Sequence, residues 1–434
     1  MRRTLILFSI LTISYCSPLV LFSQSTIEWD GSLDGDGDNT TWDDPLNWDM
    51  DRVPNQEDIV YIGLEGAGVV IENSDTVQIT SLTLSGVSVT IQSNSVLKIV
   101  AVATSGLALE FGATLPSYFY NEGSLVITSI MGAVSRHGLS VSNDCEFHNE
   151  QSGFIHISDF AGTNSSAIRI TGGLFNNQGF IETFDTKDDP DIKMFLASSI
   201  FINDGLIESK NSHRTAEFYS FAGTIKGAGL INIAKFTASQ SLLDPGPFDP
   251  FQIEEPAIFT ISGDADILFS TIKIDIRDIY GPGQVNGHDQ IVVKGDLKVS
   301  DTIRVAFLNA YFPDSSDYIN VIKYDGMLTG TFDVLDSPSP IMDHWDLDYS
   351  TNPGRIILYN TFCTMDNFKN CLNDPCPLWS GHYKVSDQIQ YAGGYEIPTG
   401  EIVILDAKIS TTFPMDFEVK LGAELEIRTD GCNQ

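Results

Sequence analysis

The sequence predicts an all-β chain: a right-handed parallel β-helix, or solenoid, followed by a small C-terminal β module. Three observations predict it. Apolar runs are short, β-branched and alternating, and Gly, Asn, Asp or Ser closes them, as in "VQITSLTLSGVSVTIQSNSVLKIV" from Val77. That is strand-and-turn punctuation, not a helical period. A strand–turn–strand unit then recurs: "YFYNEGSLVIT" from Tyr118, "EFHNEQSGFIHIS" from Glu146, "LFNNQGFIETF" from Leu174, "IFINDGLIESK" from Ile200 and "TIKGAGLINIA" from Thr224. Its turn glycines, Gly123, Gly153, Gly179, Gly205 and Gly229, are 30, 26, 26 and 24 residues apart. Finally, Phe119, Phe147, Phe175 and Phe201 occupy matching places if the turn before Gly153 carries two extra residues. One such unit cannot bury its inward side chains alone, whereas stacked units at a spacing of about 4.8 Å can.

Residues 1–23 read as an export signal. Arg2 and Arg3 precede the apolar run Leu5 to Leu11, and Ser23 offers a small residue before Gln24. Cys16 raises a lipoprotein alternative, but Tyr15 stands where lipidation wants a small residue. No later stretch approaches the roughly 18 apolar residues of a membrane helix, so the exported chain is expected to carry no spanning segment.

Residues 24–66 form a Trp- and Asp-rich N-terminal cap. "EWDGSLDGDGDNTTWDDPLNWDMDRVP" sets Trp29, Trp42 and Trp48 among acidic residues. An open solenoid end exposes strand edges and core, so it must be covered. Trp42 and Trp48, bracketing Pro45, suit that plug.

Residues 67–236 are the coils. In them Leu125, Phe154, Phe180 and Leu206 fall in similar places after the turn, and Asn121, Asn177 and Asn203 form a ladder or serve as ordinary turn residues. Residues 237–360 have longer strands, which either continue the solenoid in larger windings or open into a sandwich-like region. Residues 361–381 read as a Cys- and Pro-bearing linker, and 382–434 as the C-terminal module. Cys363, Cys371, Cys376 and Cys432 crowd this end. In an exported chain they suggest two disulfides with three possible connectivities. A four-cysteine zinc site is the lesser reading, because no CxxC is present.

The net charge is -34, and losing Arg2 and Arg3 with the signal makes it -34 - 2 = -36. Such a chain repels phosphate backbones and anionic lipid, which excludes nucleic acid as a partner. With 42% hydrophobic and 19% charged residues it is not an acidic disordered chain.

Three stretches resemble modules of Gram-negative bacterial surface proteins. Trp29–Gly31, Trp42, Pro45, Asn47–Trp48, Val53–Pro54 and Asp58–Ile62 follow a W-x-G, W-x-x-P-x-N-W, V-P, D-x-V-x-I pattern. "LLDPG … FTISGDADI … GHDQIVVKGDLKV … YINVIKYDGMLTGTF" is similar to the terminal part of autotransporter-like adhesin passengers. "YAGGYEIPTGEIVILDAKISTTFPMDFEVKLGAELEI" resembles a Gly-punctuated repeat at the ends of proteins exported by the type IX route. The resemblance implies a secreted or cell-surface β-helix, and none of its motifs carries catalytic residues.

Candidate sites are few. Asp34, Asp36 and Asp38 begin as an EF-hand loop does. Asn39 then stands where Gly is needed, and Pro45 where the bidentate Glu is needed. A looser Ca²⁺ site would use Asp34, Asp36, Asp38 and Asp43, and no other cofactor is expected. Asp185, Asp188, Asp189 and Asp191 share the loop "FDTKDDPDIK", either as a solvated surface loop or as the paired carboxylates of a glycan-cleaving β-helix. The histidines are dispersed, and there is no HExxH, GxSxG or P-loop. The leading reading is a secreted, non-catalytic, adhesive or structural β-solenoid with glycans or surface proteins as partners. The rival is a carbohydrate-active protein, a lyase, hydrolase or glycan-binding module, on the same fold.

Overall fold

The computed structural model describes residues 24–428, apart from 32, 34–36, 73–75, 102–106, 113–114, 130–136, 159–165, 185–191, 211–215, 247–254, 279–280, 285–286, 309–317, 337–344, 351–352, 361–363, 371–375, 378–380, 393–394, 398, 400–401, 408–409 and 413–417. Among these residues there is no α-helix, and no helix is long and apolar enough to cross a membrane.

The chain is a parallel β-solenoid with three faces. Ile59–Ile62, Gly68–Ile71 and Thr76–Ile79 form one winding, one strand to each face. Ser81–Leu84, Ser88–Ile91 and Val96–Ala101 lie directly above and pair with them in parallel. The scheme repeats as far as Lys235–Ser239, Leu242–Pro245 and Ile258–Ile261.

Alternation sends every second side chain inward, and like stacks on like. On the first face the register joins Leu82, Leu109, Leu139, Ile168, Met194, Phe218 and Phe236. On the second it joins Val89, Phe119, Phe147, Phe175, Phe201 and Ile225. The rings of Phe119 and Phe147 stack at 5.0 Å, and those of Phe147 and Phe175 at 4.8 Å. Each such ring pair contributes about 0.5–1.5 kcal/mol beyond its buried area.

The third face corrects one expectation. Leu125 pairs with Ile155, not Phe154, and its buried column continues through Ile181, Ile207 and Ile231. Phe154, Phe180 and Leu206 form the neighbouring row with Ser124, and they point outward and half-exposed. Both positions are apolar in "GFI" and "GLI", so alternation alone does not fix which one faces in.

The corners differ. Between the second and third faces the chain turns tightly at Gly123, Gly153, Gly179, Gly205 and Gly229. A Cβ at Gly205 would collide with the carbonyl oxygen of Gly179, and one at Gly179 with that of Gly153. Just before this corner the buried Asn121, Asn149, Asn177 and Asn203 form a ladder, each Nδ2 donating to the next Oδ1 at 2.7 Å. The first-to-second corner is held by left-handed residues, among them Gly172, Ser198, Ala222 and Gln240. Ser198 and Ala222 donate their N–H to Phe221 O and Ser239 O of the next winding. The third-to-first connection is variable, from one residue between Ile79 and Ser81 to seven between Ser129 and His137.

Past residue 236 the solenoid continues rather than opening into a sandwich. Asp264–Ile276 and Leu297–Phe307 each serve the first and second faces as one long strand. The third face ends in antiparallel strands, Tyr318–Tyr324 with Arg355–Asn360 and Trp345–Asp348. Residues 361–381, expected as a linker, carry strands Thr364–Asn370 and Cys376–Pro377, which pair in parallel with Gly381–Ala392 and Tyr395–Ile397. Cys363, Cys371 and Cys432 lie outside the described residues, as does the side chain of Cys376. Cys145 is a buried free thiol.

The N-terminal segment covers the first winding. Thr26–Glu28 pairs with Ile59–Ile62, and Thr41 bridges to Val70. Trp29, Trp42 and Trp48 are buried, with Trp48 edge-on to both others at 4.9 and 4.8 Å and its Nε1 donating to Trp42 O. Buried Asp58 accepts from Arg52, Ser25 and the Asn55 N–H, which pins this cap to the first winding.

Candidate functional site

The residues facing solvent are the odd places of the repeat x-F-x-N. Phe and Asn point inward, so Glu146 and His148, Leu174 and Asn176, and Ile200 take the outward places in successive windings, while Ile202, in the same register row as Asn176, is covered. Beside them runs the first-to-second corner, represented by Asp144, Gly172–Gly173 and Ser198–Ser199. Its left-handed turns (φ 60° at Asp144, 74° at Gly172, 50° at Ser198) lift the backbone into a wall. Rows and wall enclose an open groove of about 680 Å³, inside the roughly 300–1,000 Å³ range of small-molecule sites.

Polar and apolar groups are mixed along it. Glu146 Oε2 bonds His148 Nε2 at 2.9 Å, and the His148 ring stacks on Tyr120 at 5.0 Å. Burial pushes the Tyr120 hydroxyl pKa up, and the Glu146 charge adds to it. Ile200 is 39% exposed, while Ile202 two residues on is buried at 1%. Asn176 Oδ1, and in the corner Ser199 Oγ, are buried without a hydrogen-bond partner among the described residues. Burial pushes the Cys145 thiol pKa up, so this wall residue is not a ready nucleophile.

The third face carries a charged row. His156 Nδ1 bonds Glu182 Oε2 at 2.6 Å, and Lys210 bonds the other Glu182 oxygen while standing 4.0 Å from Glu208. Lys210 also lies over the Phe180 ring at 6.0 Å. Burial raises the Glu182 pKa, but the Lys210 and His156 hydrogen bonds outweigh it and hold the carboxyl below its usual range. Glu110, whose pKa burial raises, belongs to the first face, where its row neighbours are Thr83 and Ser140. A glycosidase needs a carboxyl of raised pKa beside an ionised one. Glu110 and Glu182 stand on different faces and do not form such a pair.

Outward aromatic groups stack on one another. Phe195 and Tyr219 stack at 5.8 Å, with Arg169 at 5.5 Å from the Phe195 centroid. Rings stacked along the axis present edges to solvent and cover each other's faces, so they offer recognition by hydrogen bonding more than a platform.

Of the residues singled out from sequence, Asp34 and Asp36 lie outside the described residues. Asp38 Oδ1 accepts from Thr40 N, Thr41 N and Asn47 Nδ2. Burial raises the Asp38 pKa, but those hydrogen bonds outweigh it and leave the carboxyl well below its usual range. Asp44 caps the turn Pro45–Asn47, and Asp43 lies beside it. Among the described residues no group of three or more His, Cys, Asp or Glu is placed to hold a metal. Asp185, Asp188, Asp189 and Asp191 fall in the undescribed segment joining Phe180–Phe184 on the third face to Ile192–Ala197 on the first. Sequence reasoning misses the groove residues. Their signal is present in the two x positions of x-F-x-N, three windings in a row.

No protein-family model matches the chain, and no curated protein matches it.

Proposed function

We propose that the protein is an exported, non-catalytic β-solenoid that works as an adhesive surface molecule and binds its partner through the second-face groove. The observation that carries this is the groove itself: exposed Ile200 and half-buried Leu174 beside the hydrogen-bonding groups of Glu146, His148 and Asn176. A rigid stack of windings holds these groups at fixed spacing, so little ordering entropy is lost on binding. The acidic chain disfavours anionic partners through its long-range field. The locked Glu182–Lys210–His156 row supports the non-catalytic half of the reading, because a carboxylate held by two donors is a poor proton shuttle.

The test is adhesion of beads coated with residues 24–434 to target cells. Ile200→Asp places a charge in the groove, and retention is expected to fall at least tenfold with an unchanged thermal midpoint. Undiminished adhesion would remove the groove from the function. New reducing ends or unsaturated products from a polysaccharide panel would replace adhesion with catalysis. Calcium, through Asp34, Asp36, Asp38 and Asp43, belongs to the same proposal, and a Ca²⁺ titration of cap tryptophan fluorescence tests it.

A further inference from the structure

Further along the first-to-second corner, away from the groove, two phenylalanines face solvent. Phe221 ends the first-face strand Glu217–Phe221 and is 41% exposed, and Phe269 is 67% exposed. Phe269 has φ 51° and takes the corner place held by Ala222 (φ 52°) and Gln240 (φ 53°) in the two windings before it. A bulky residue in the left-handed region is strained, and an exposed ring returns no burial to offset that. Strain kept without a packing return points to a contact made with something outside the chain.

The register fixes the spacing of the two rings. Phe221 pairs with Ser239, and Ser239 with Leu268, the residue before Phe269. Two windings and one residue along the chain put their backbone positions about 10 Å apart. Between them the exposed Gln240 offers an amide with both donors and an acceptor. Phe195 and Tyr219 cover each other's faces at 5.8 Å, whereas no ring covers Phe221 or Phe269 among the described residues.

An aromatic, an amide and an aromatic in three successive windings make a poor protein interface. The two rings together offer about 300–500 Å², against the roughly 1,200 Å² or more that a stable protein contact buries. An extended sugar chain fits better. Its rings present C–H faces, which the negative face of an aromatic ring attracts, and its hydroxyls alternate with them. The rigid stack holds both phenylalanines at about the length of one disaccharide unit. A chain of net charge -34 repels anionic polymers. We propose that this corner is a second binding surface, separate from the groove, for an extended neutral polysaccharide: Phe221 and Phe269 each lie against one sugar ring, and Gln240 takes hydroxyls between them.

The experiment is affinity electrophoresis of residues 24–434 in gels holding hydroxyethylcellulose, galactomannan or arabinoxylan and, in parallel, polygalacturonate. At least one neutral polymer is expected to retard the chain, and polygalacturonate is not. The Kd should rise about tenfold in Phe221→Ala and in Phe269→Gly, and stay unchanged in the groove variant Ile200→Asp. Phe269→Gly also releases the left-handed strain, so its thermal midpoint should be unchanged or higher, which separates lost binding from lost fold. Retardation by no neutral polymer overturns the proposal, as does retardation indifferent to both phenylalanine variants or stronger with polygalacturonate. Sedimentation with phosphatidylcholine vesicles that Phe269→Gly abolishes, without polysaccharide retardation, would assign the corner to a lipid surface instead. A solution mass that falls in the same variant, again without retardation, would assign it to a second copy of the chain.

Discussion

Asn149 donates its side-chain N–H to the Oδ1 of Asn177 across 2.7 Å, one winding away and fully buried. Asn177 in turn donates to Asn203. Asn177→Ala therefore breaks two bonds and strands a donor on one side and an acceptor on the other. The expected cost is about 2–3 kcal/mol, read as a shift in the urea midpoint at constant slope. A change below about 0.5 kcal/mol would mean that the ladder aligns the windings without stabilising them.

Two glycines separate crowding from backbone strain. At Gly205 an added methyl would meet the carbonyl oxygen of Gly179 and the backbone of Gln178. Gly205→Ala must pry adjacent windings apart, at about 3 kcal/mol. At Gly66 the φ is +82° but the space is open, so Gly66→Ala is expected to cost only the left-handed penalty of about 1–2 kcal/mol. Equal losses in the two variants, by denaturant titration, would contradict the close-approach account.

The opposite substitution should help at the left-handed corner. Ala222 sits at φ 52°. Ala222→Gly removes about 1–2 kcal/mol of strain and costs about 0.5–1 kcal/mol in unfolded-chain entropy. A net gain of about 0.5–1 kcal/mol is expected from these two terms, seen as a higher thermal midpoint. A lower midpoint would show that the Ala222 methyl packs usefully.

Two buried carboxyls should respond to pH in opposite senses. Burial raises the Asp58 pKa, but bonds from Arg52, Ser25 and the Asn55 N–H overcome it and bring the pKa down to about 2. Its folded value is thus below its unfolded one, so its stabilisation is present above about pH 4 and is lost as pH falls towards 2. Cap tryptophan fluorescence should change across that window, and Asp58→Asn should flatten the change. Asp289 is the reverse case. Burial first, then the Asp275 charge, push its pKa well up, although it accepts from Ala257 N and Asp275 N. Its ionised form is disfavoured in the fold, so stability around it is greatest below its unfolded pKa and declines as pH rises through the folded one. Hydrogen exchange at Ala257 and Asp275 should therefore be slower at mildly acidic than at neutral pH, after correction for intrinsic rates. Protection that runs the other way would refute the assignment.

Trp42 tests the plug. Trp42→Ala is expected to cost about 3–5 kcal/mol and to make the chain associate with rising concentration, since the first strands lose their cover. Light scattering that stays flat with concentration would show that the other two tryptophans suffice.

Much of this fold is legible in the sequence because its core repeats. Phe119, Phe147, Phe175 and Phe201 recur with the glycine turns, and the register places them as the spacing implies. The Asn ladder is visible at three of its four rungs. Asn149 escapes the pattern because the two residues inserted before Gly153 move it from two to four places ahead of the glycine. The facing of Phe154 and Phe180 is not legible, since each is followed by an equally apolar Ile. The groove is harder still. It is made of outward residues from three windings and of corners spelled Asp-Cys, Gly-Gly and Ser-Ser, so no contiguous stretch of sequence contains it.

The unequal connection between the third and first faces has an evolutionary consequence. From His137 to Leu230 the other two corners turn in two to four residues against the turns of neighbouring windings, whereas the third-to-first connection ranges from one to seven residues along the solenoid while the pairing of its neighbours is kept. Insertions and deletions can accumulate there at low thermodynamic cost. The same edge is the natural place to graft a foreign epitope or a reporter tag, displayed at regular intervals along the rod.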